Sequence, residues 1–350
     1  MIGMTSANSR IVCLVTAPAV RSALYCLLLF ATSCQSLHRH RADRLVDRGK
    51  TLMAEENLQE ALAEFQEAAR INPRLASPHS QMGKIYQRMG DYEQAIDSFL
   101  EAITRNPFSF DDTLSLAQLY QFTKRISDAI QAYLHAVELE PKRFDAQLNL
   151  GTCYQQTGDY LQAVERFQRA IDIDPDRPAA YINLGVALDR QGKYYEAIRA
   201  YKEALERDTR QPLVLVNLAH TYMSQDRLKM ARQSLEHAIR MDSGLALAHE
   251  ALGYCLFRSR EFDEAEGAYK RALACDWRLP RAHAGLGSIN MLRFMDDKTH
   301  PDLRSQALEH WHRSLELDPT QLRIRNLIAR YKPRRESPDT SLLKESRPTQ

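Results

Sequence analysis

Asn149, Asn183 and Asn217 stand 34 residues apart. A side-chain amide offers two N–H donors and one acceptor, which matches a peptide group. Three of them on one face would clamp the backbone of an extended chain. With about 10 Å between stacked helix layers and roughly 3.3–3.6 Å per extended residue, each amide would meet every third residue. The other reading of the same asparagines is that they satisfy local backbone groups. Ser115, Ala251 and Gly285 hold the same position on either side, so the row is short. At the same helical phase the chain carries Gln118, Gln121, Gln155, Arg190, His220, Tyr254 and Arg258. The middle of that set is glutamine-rich and uncharged, and its later part is more aromatic. Such a lining suits an extended peptide or a helix of a partner protein, not a highly charged ligand.

Covalent and metal chemistry find little footing. There is no HExxH, CxxC, GxSxG or glycine-rich phosphate loop after a strand. His310 and His312 flank Trp311, but residues two apart on a helix point away from each other, so no shared metal is expected. A net charge of +2 with 26% charged residues gives no basic stripe for nucleic acid. Carboxylates recur mostly on the expected outer faces. The sequence therefore predicts no catalytic residue, metal or cofactor and no small-molecule substrate. An enzyme working from this face would instead need a cluster of buried titratable groups.

The elements that position these residues follow from the period itself. Gly49, Gly83, Ala117, Gly151, Gly185, Ala219, Gly253 and Gly287 recur every 34 residues, and so do Ala61 through Ala265. Phe65, Phe99, Tyr133, Phe167, Tyr201, Leu235 and Tyr269 keep the same interval. Within 144–177, Leu150 and Tyr154 mark one apolar stripe. Gly158 stops that helix, Ala163, Phe167, Ala170 and Ile171 share a second face, and Pro175 ends it. Each repeat is a helix, a turn and a helix. The small residues allow close approach, and the aromatic fills the space that they leave.

On these residues, most completely Gly83, Tyr86, Gly90, Tyr92, Ala95, Phe99, Ala102 and Pro107, the chain resembles the tetratricopeptide repeat (TPR) proteins. The resemblance implies an all-α, right-handed α-solenoid whose first helices line a concave groove. Eight repeats begin at 42, 76, 110, 144, 178, 212, 246 and 280, spanning 42–332 with a capping helix at 320–332. The eighth carries about eight extra residues near 294–303, after which Ala307, Trp311, Ser314 and Pro319 resume the pattern. The asparagine row is similar to the ladder of O-linked N-acetylglucosamine transferase and of importin-like solenoids. The chaperone-type carboxylate clamp is not matched, since only Lys50 and Lys84 of it are present.

The first 41 residues differ in kind. No acidic residue precedes Asp43, and Arg10 and Arg21 lead into the short apolar run 23–30. That is too short to span a membrane and reads as a secretion signal, 1–33. Ala31-Thr32-Ser33-Cys34 resembles a bacterial lipobox, which implies lipidation of Cys34, a tether at 34–41 and an outer-membrane lipoprotein facing the periplasm. An uncleaved anchor at the inner membrane and a mitochondrial transit peptide are the alternatives. Residues 333–350 have almost no apolar content and are expected to be disordered. Architecturally the whole resembles outer-membrane TPR lipoproteins. It implies a non-catalytic, lipid-anchored scaffold for protein partners. An adaptor subunit of a secretion, pilus or glycosyltransferase complex is the alternative.

Overall fold

In a computed structural model, residues 39–332 are described. The expected signal 1–33, Cys34, the start of the tether and the tail 333–350 lie outside them. Among the described residues there are 17 helices and no strand. They fall into two blocks that meet in sequence between Ile173 and Asp174. The N-terminal block holds α1 (39–54), α2 (Leu58–Ile71), α3 (Ala76–Met89), α4 (Tyr92–Arg105), α5 (Phe110–Phe122), α6 (Ile126–Leu139), α7 (Phe144–Thr157) and α8 (Tyr160–Ile173). The C-terminal block holds α9 (Pro178–Arg190), α10 (Tyr194–Arg207), α11 (Pro212–Ser224), α12 (Leu228–Met241), α13 (Ala246–Arg258), α14 (Phe262–Cys275), α15 (Pro280–Asp296), α16 (Pro301–Leu317) and α17 (Leu322–Tyr331). Each block is thus four stacked helix pairs of TPR type, and the second ends on a cap.

The pairs close on a ring. A Cβ on Gly49, Gly83, Gly151, Gly185, Gly253 or Gly287 would come 2.5–2.8 Å from the ring of Phe65, Phe99, Phe167, Tyr201, Tyr269 or Trp311. Those six rings are at most 2% exposed. A first helix without a side chain at that point lets the ring of the second lie flat against its backbone. The sixth repeat solves the same problem with buried Ala219 and Leu235.

The turn inside each pair is equally regular. Positions 56, 90, 124, 158, 192, 226 and 260 all have positive φ, between 57° and 84°. Three are glycine, and Glu56, Lys124, Asp226 and Arg260 adopt the left-handed conformation against their own Cβ. Between pairs, side chains tie one repeat to the next. Arg105 Nε donates to Pro73 O at 2.6 Å and Arg207 Nε to Pro175 O at 2.5 Å. Arg207 also lies 4.0 Å over the Tyr181 ring.

The extra residues of the eighth repeat do not form a free loop. They go into helix: α15 and α16 are 17 residues each, where α2 to α14 have 13 or 14, and only 297–300 lie outside them. This longer pair braces the cap. Tyr331 Oη donates to Met295 Sδ at 3.4 Å, and Arg304 Nε donates to Tyr331 O at 2.9 Å. On α17 Ile324 and Ile328 are buried, whereas Leu322, expected on the same apolar face, is 65% exposed. At about 100° per residue, Leu322 falls roughly 200° round the helix from Ile324.

Gly151→Ala is expected to cost about 1–3 kcal/mol in urea unfolding through overpacking against Phe167. Adding Phe167→Leu, which copies the sixth repeat, should recover part of that loss. Deleting 296–302 should lower the melting temperature, because it cuts the ends of two packed helices.

Candidate functional site

The first helices of the C-terminal block lie side by side as well as against their partners, since α11 touches α13 and α13 touches α15. Along α15 they leave a trough of about 540 Å³. Its floor is one full face of α15, from Arg281 through Ala284, Gly285 and Ser288 to Met291, Leu292 and Met295. That face spans 15 residues, or about 20 Å at 1.5 Å per residue. Glu250, Ala251, Tyr254 and Phe257 of α13 form one wall, and Arg323, Ile324, Leu327 and Tyr331 of α17 the other. His220 of α11 reaches the edge.

The trough is polar at one end and apolar at the other. Arg281 and Arg323 sit in the first turns of their helices and Glu250 just after the first turn of α13, while Phe257, Leu292, Met295 and Tyr331 sit near the opposite ends. Tyr254 (48% exposed), Leu292 (40%) and Met295 (50%) show that the apolar end is open. Burial raises the Glu250 carboxyl above its usual range, and the nearby Arg281 guanidinium pulls it back. Burial, then Arg281, lowers the His220 imidazole. Burial, then the Glu250 charge, holds the Tyr269 hydroxyl well above the usual phenol range.

The other expected groove residues divide by role. Gln121 Oε1 accepts from Tyr133 Oη at 2.9 Å, and the Asn149 side chain bonds the same hydroxyl. Both are therefore engaged inside the N-terminal block, where Gln118 is exposed and Gln155 half-buried. Gln155 Oε1 is enclosed without a partner among the described residues. In the C-terminal block Asn183 and Asn217 are half-buried, Arg190 is exposed, and none of these three side chains makes a hydrogen bond to a described residue. His220 and Tyr254 line the trough. Arg258 does not, because it donates to Met223 O and to Asp226 Oδ1, each at 2.7 Å, and so secures the preceding repeat's turn.

The sequence reading passed over Glu250, Arg281, Arg323 and Met295. A signal existed for part of the set. Positions 281, 284, 285, 288, 291, 292 and 295 follow helical spacing, but the phase could be read past 293 only by knowing that the extra residues continue α15. Glu250 breaks the expectation that carboxylates face outward.

Metal and thiol chemistry remain thin. Among the described residues no three His, Cys, Asp or Glu side chains gather round a metal position. His310 does not pair with His312. Its Nδ1 lies 3.3 Å from His283 Nδ1, and His283 Nε2 is 3.1 Å from Trp277 O. Cys153, Cys255 and Cys275 are free. Burial pushes the Cys153 thiol up to about 11 and raises Cys255, the reverse of what an activated thiol requires. No described helix is long and apolar enough to cross a membrane.

Solved structures with the same arrangement are TPR proteins. The C-terminal part of a TPR repeat-containing protein from Cytophaga hutchinsonii is 20% identical, with a TM-score of 0.58 over 69% of this chain and 99% of its own. A tetratricopeptide repeat protein from Parabacteroides merdae is 18% identical, with a TM-score of 0.51 over 68% and 94%. A chain of the APC/C hetero-tetramer Cut9–Hcn1 is 16% identical, with a TM-score of 0.55 over 83% and 55%. At such identities the likeness is one of fold. The class is therefore a TPR solenoid, a fold of protein-binding scaffolds. A search of curated proteins finds no match. Residues 31–284, well over half of the chain, match the family described as the Cilia and flagella-associated protein 70 C-terminal domain, and the chain belongs to that TPR family. TPR families are generally non-catalytic.

Shifted histidines and a carboxyl give the fold a pH dependence. His79 and His310 are held below the usual 6.5, first by burial and then by nearby positive charge. The unfolded chain takes up those protons first, so stability is expected to fall as pH drops through 6.5 and below. Glu250 acts in the opposite sense. Its carboxyl is raised above 4.5, so its favourable contribution is lost as pH rises past the folded value. Thermal melts of Glu250→Gln should show a higher melting temperature than the parent at neutral pH, with a smaller gain in acid.

Proposed function

We propose that this protein is a non-catalytic scaffold that binds protein partners along the first-helix face of its repeats. The observation that carries the reading is the set of unengaged side chains on that face in the C-terminal block. Asn183 and Asn217, one repeat apart, offer amides that nothing among the described residues uses. Tyr254, Leu292 and Met295 beyond them expose apolar surface. A short extended segment of a partner fits the two amides. Asn149 belongs to a different role, since it serves the Tyr133 hydroxyl.

Cys34, at the end of the signal-like segment, is the proposed point of lipid attachment, and the bacterial envelope, at the outer membrane, is the proposed location. The support for both is the acid-free leader and Ala31-Thr32-Ser33-Cys34 in the sequence. Several acyl chains on one cysteine hold a protein at a membrane far more firmly than one chain does. The family description names cilia and flagella, and fractionation separates that setting from an envelope lipoprotein.

Four measurements test the reading. Photo-crosslinkers placed at Asn183 and Asn217 in cells should each trap protein adducts, and none from a folded protein would remove the scaffold reading. Asn183→Ala with Asn217→Ala should weaken capture of such a partner while leaving the melting temperature nearly unchanged. Asn149→Ala should do the reverse, costing roughly 0.5–1.5 kcal/mol for a lost hydrogen bond. Cys34→Ser should release the protein from the membrane fraction, and unchanged membrane association would remove the lipid anchor.

A further inference from the structure

The trough along α15 holds one acid and two bases that no neighbour engages. Glu250 is 8% exposed, and no hydrogen bond or ion pair reaches its carboxylate from the described residues. Arg281 acts on it only from beyond ion-pair distance. The buried carboxylate of the N-terminal block shows the contrast. Asp112, 5% exposed, accepts from Ser80 Oγ at 2.5 Å and from Ser109 Oγ at 2.7 Å. The Glu250 oxygens are not sealed off like the enclosed Gln155 Oε1, so they face the solvent of the trough, where a donor from a partner would replace water. Arg281 and Arg323, at the same end, make no hydrogen bond to a described residue either. Both are exposed, and Arg281 already acts on the Asp318 carboxyl, so together they offer positive charge to an acidic partner at this end of the trough.

The floor selects the shape of the occupant. At the position that bears Asn183 and Asn217 in earlier repeats, the trough has Ala251 and Gly285. The rungs that would hold an extended chain are therefore missing, and at Gly285 the backbone packs directly on the Tyr269 ring instead. Ser288 Oγ donates back to Ala284 O at 2.8 Å and does not reach across. A floor of small residues between Phe257, Leu292, Met295 and Leu327 admits a helix backbone at close range, with pliable methionine and leucine to fit its side chains.

From this geometry we infer that the trough seats an amphipathic helix of a protein partner, its apolar stripe along α15 and its acidic first turn beside Arg281 and Arg323. The helix runs parallel to α15. In that direction its free N-terminal N–H groups face Glu250. Its first-turn carboxylates, favoured there by the helix dipole, meet the two arginines. Its apolar residues follow toward Phe257 and Met295. The inference rests on the scaffold reading and names the occupant of one part of that face.

The test uses the full chain and fluorescent model helices of about 15 residues, long enough to fill the roughly 20 Å floor. One carries a leucine stripe with two Glu in its first turn, one has Lys in their place, and one has the two Glu moved to its last turn. The first should bind, and the other two should bind at least about tenfold more weakly. Arg281→Glu with Arg323→Glu should reverse the ranking of the Glu and Lys helices, and Met295→Asp should weaken all three, with circular dichroism unchanged in each variant. Equal binding of the three helices, or a ranking that ignores the arginine substitutions, overturns the inference. Competition by phosphatidylglycerol vesicles that Met295→Asp abolishes would assign the trough to an acyl chain and also overturn it. So would a dimer, seen by light scattering, that Met295→Asp dissolves. If the helices fail while crosslinkers at Asn183 still trap a partner, only this inference falls; if both fail, the scaffold reading falls with it.

Discussion

A helix backbone with nothing on it, pressed against an aromatic ring, is the contact on which every other feature depends. Six repeats use the same device, from Gly49 on Phe65 to Gly287 on Trp311. The ring replaces the side chain that the first helix gives up, so the pair closes without a void. Close-packed interiors tolerate neither a missing nor an extra methylene cheaply. That explains why the small residue and the ring keep their spacing through the repeats. Once the pair is fixed, its remaining faces are committed: one side stacks on the next repeat, and the first helix keeps a face with no packing duty.

The polar links between repeats show how the free face stays free. Ser80 reaches Asp112, and Thr221 Oγ1 donates to Asp189 Oδ1 at 2.8 Å, both across 32 residues. Arg258 secures the turn before its own repeat. These side chains lie on or near the first helices, yet they stitch repeats together and leave little for a partner. On the expected groove face, Gln155 of the N-terminal block and Asn183, Asn217, Glu250, Arg281 and Arg323 of the C-terminal block make no side-chain hydrogen bond that closes them off, or leave a polar atom without a partner among the described residues. The distribution of satisfied and unsatisfied groups marks the binding face more sharply than residue type does.

The eighth repeat shows how a small change in chain length makes a new surface. About eight residues added to a helix hairpin go into the helices because helical hydrogen bonds continue at little cost once a helix exists. The longer α15 then carries Met295 beyond the point where the earlier first helices of this block have turned. The cap lies against this extension through Tyr331 and Arg304. A terminal repeat must shield an apolar edge, and here the shielding also builds the walls of a trough.

The sequence by itself determined the all-α repeat and the pairing of a small residue with a ring, since both recur at one fixed interval. It also put His220 and Tyr254 on the first-helix face, and both line the trough. Tertiary structure alone decided which members of that face are available. Asn149 and Asn183 occupy the same repeat position, yet one is held by Tyr133 and the other is not, because the aromatic of the preceding repeat is Tyr133 with its hydroxyl directed at Asn149 and Gln121. Glu250 looks like any surface carboxylate in the sequence. It becomes a buried, unpaired acid only when α13 and α15 close round it with the cap helix nearby. Periodicity reports which way a side chain points; what it meets there depends on neighbours that lie a repeat or more away.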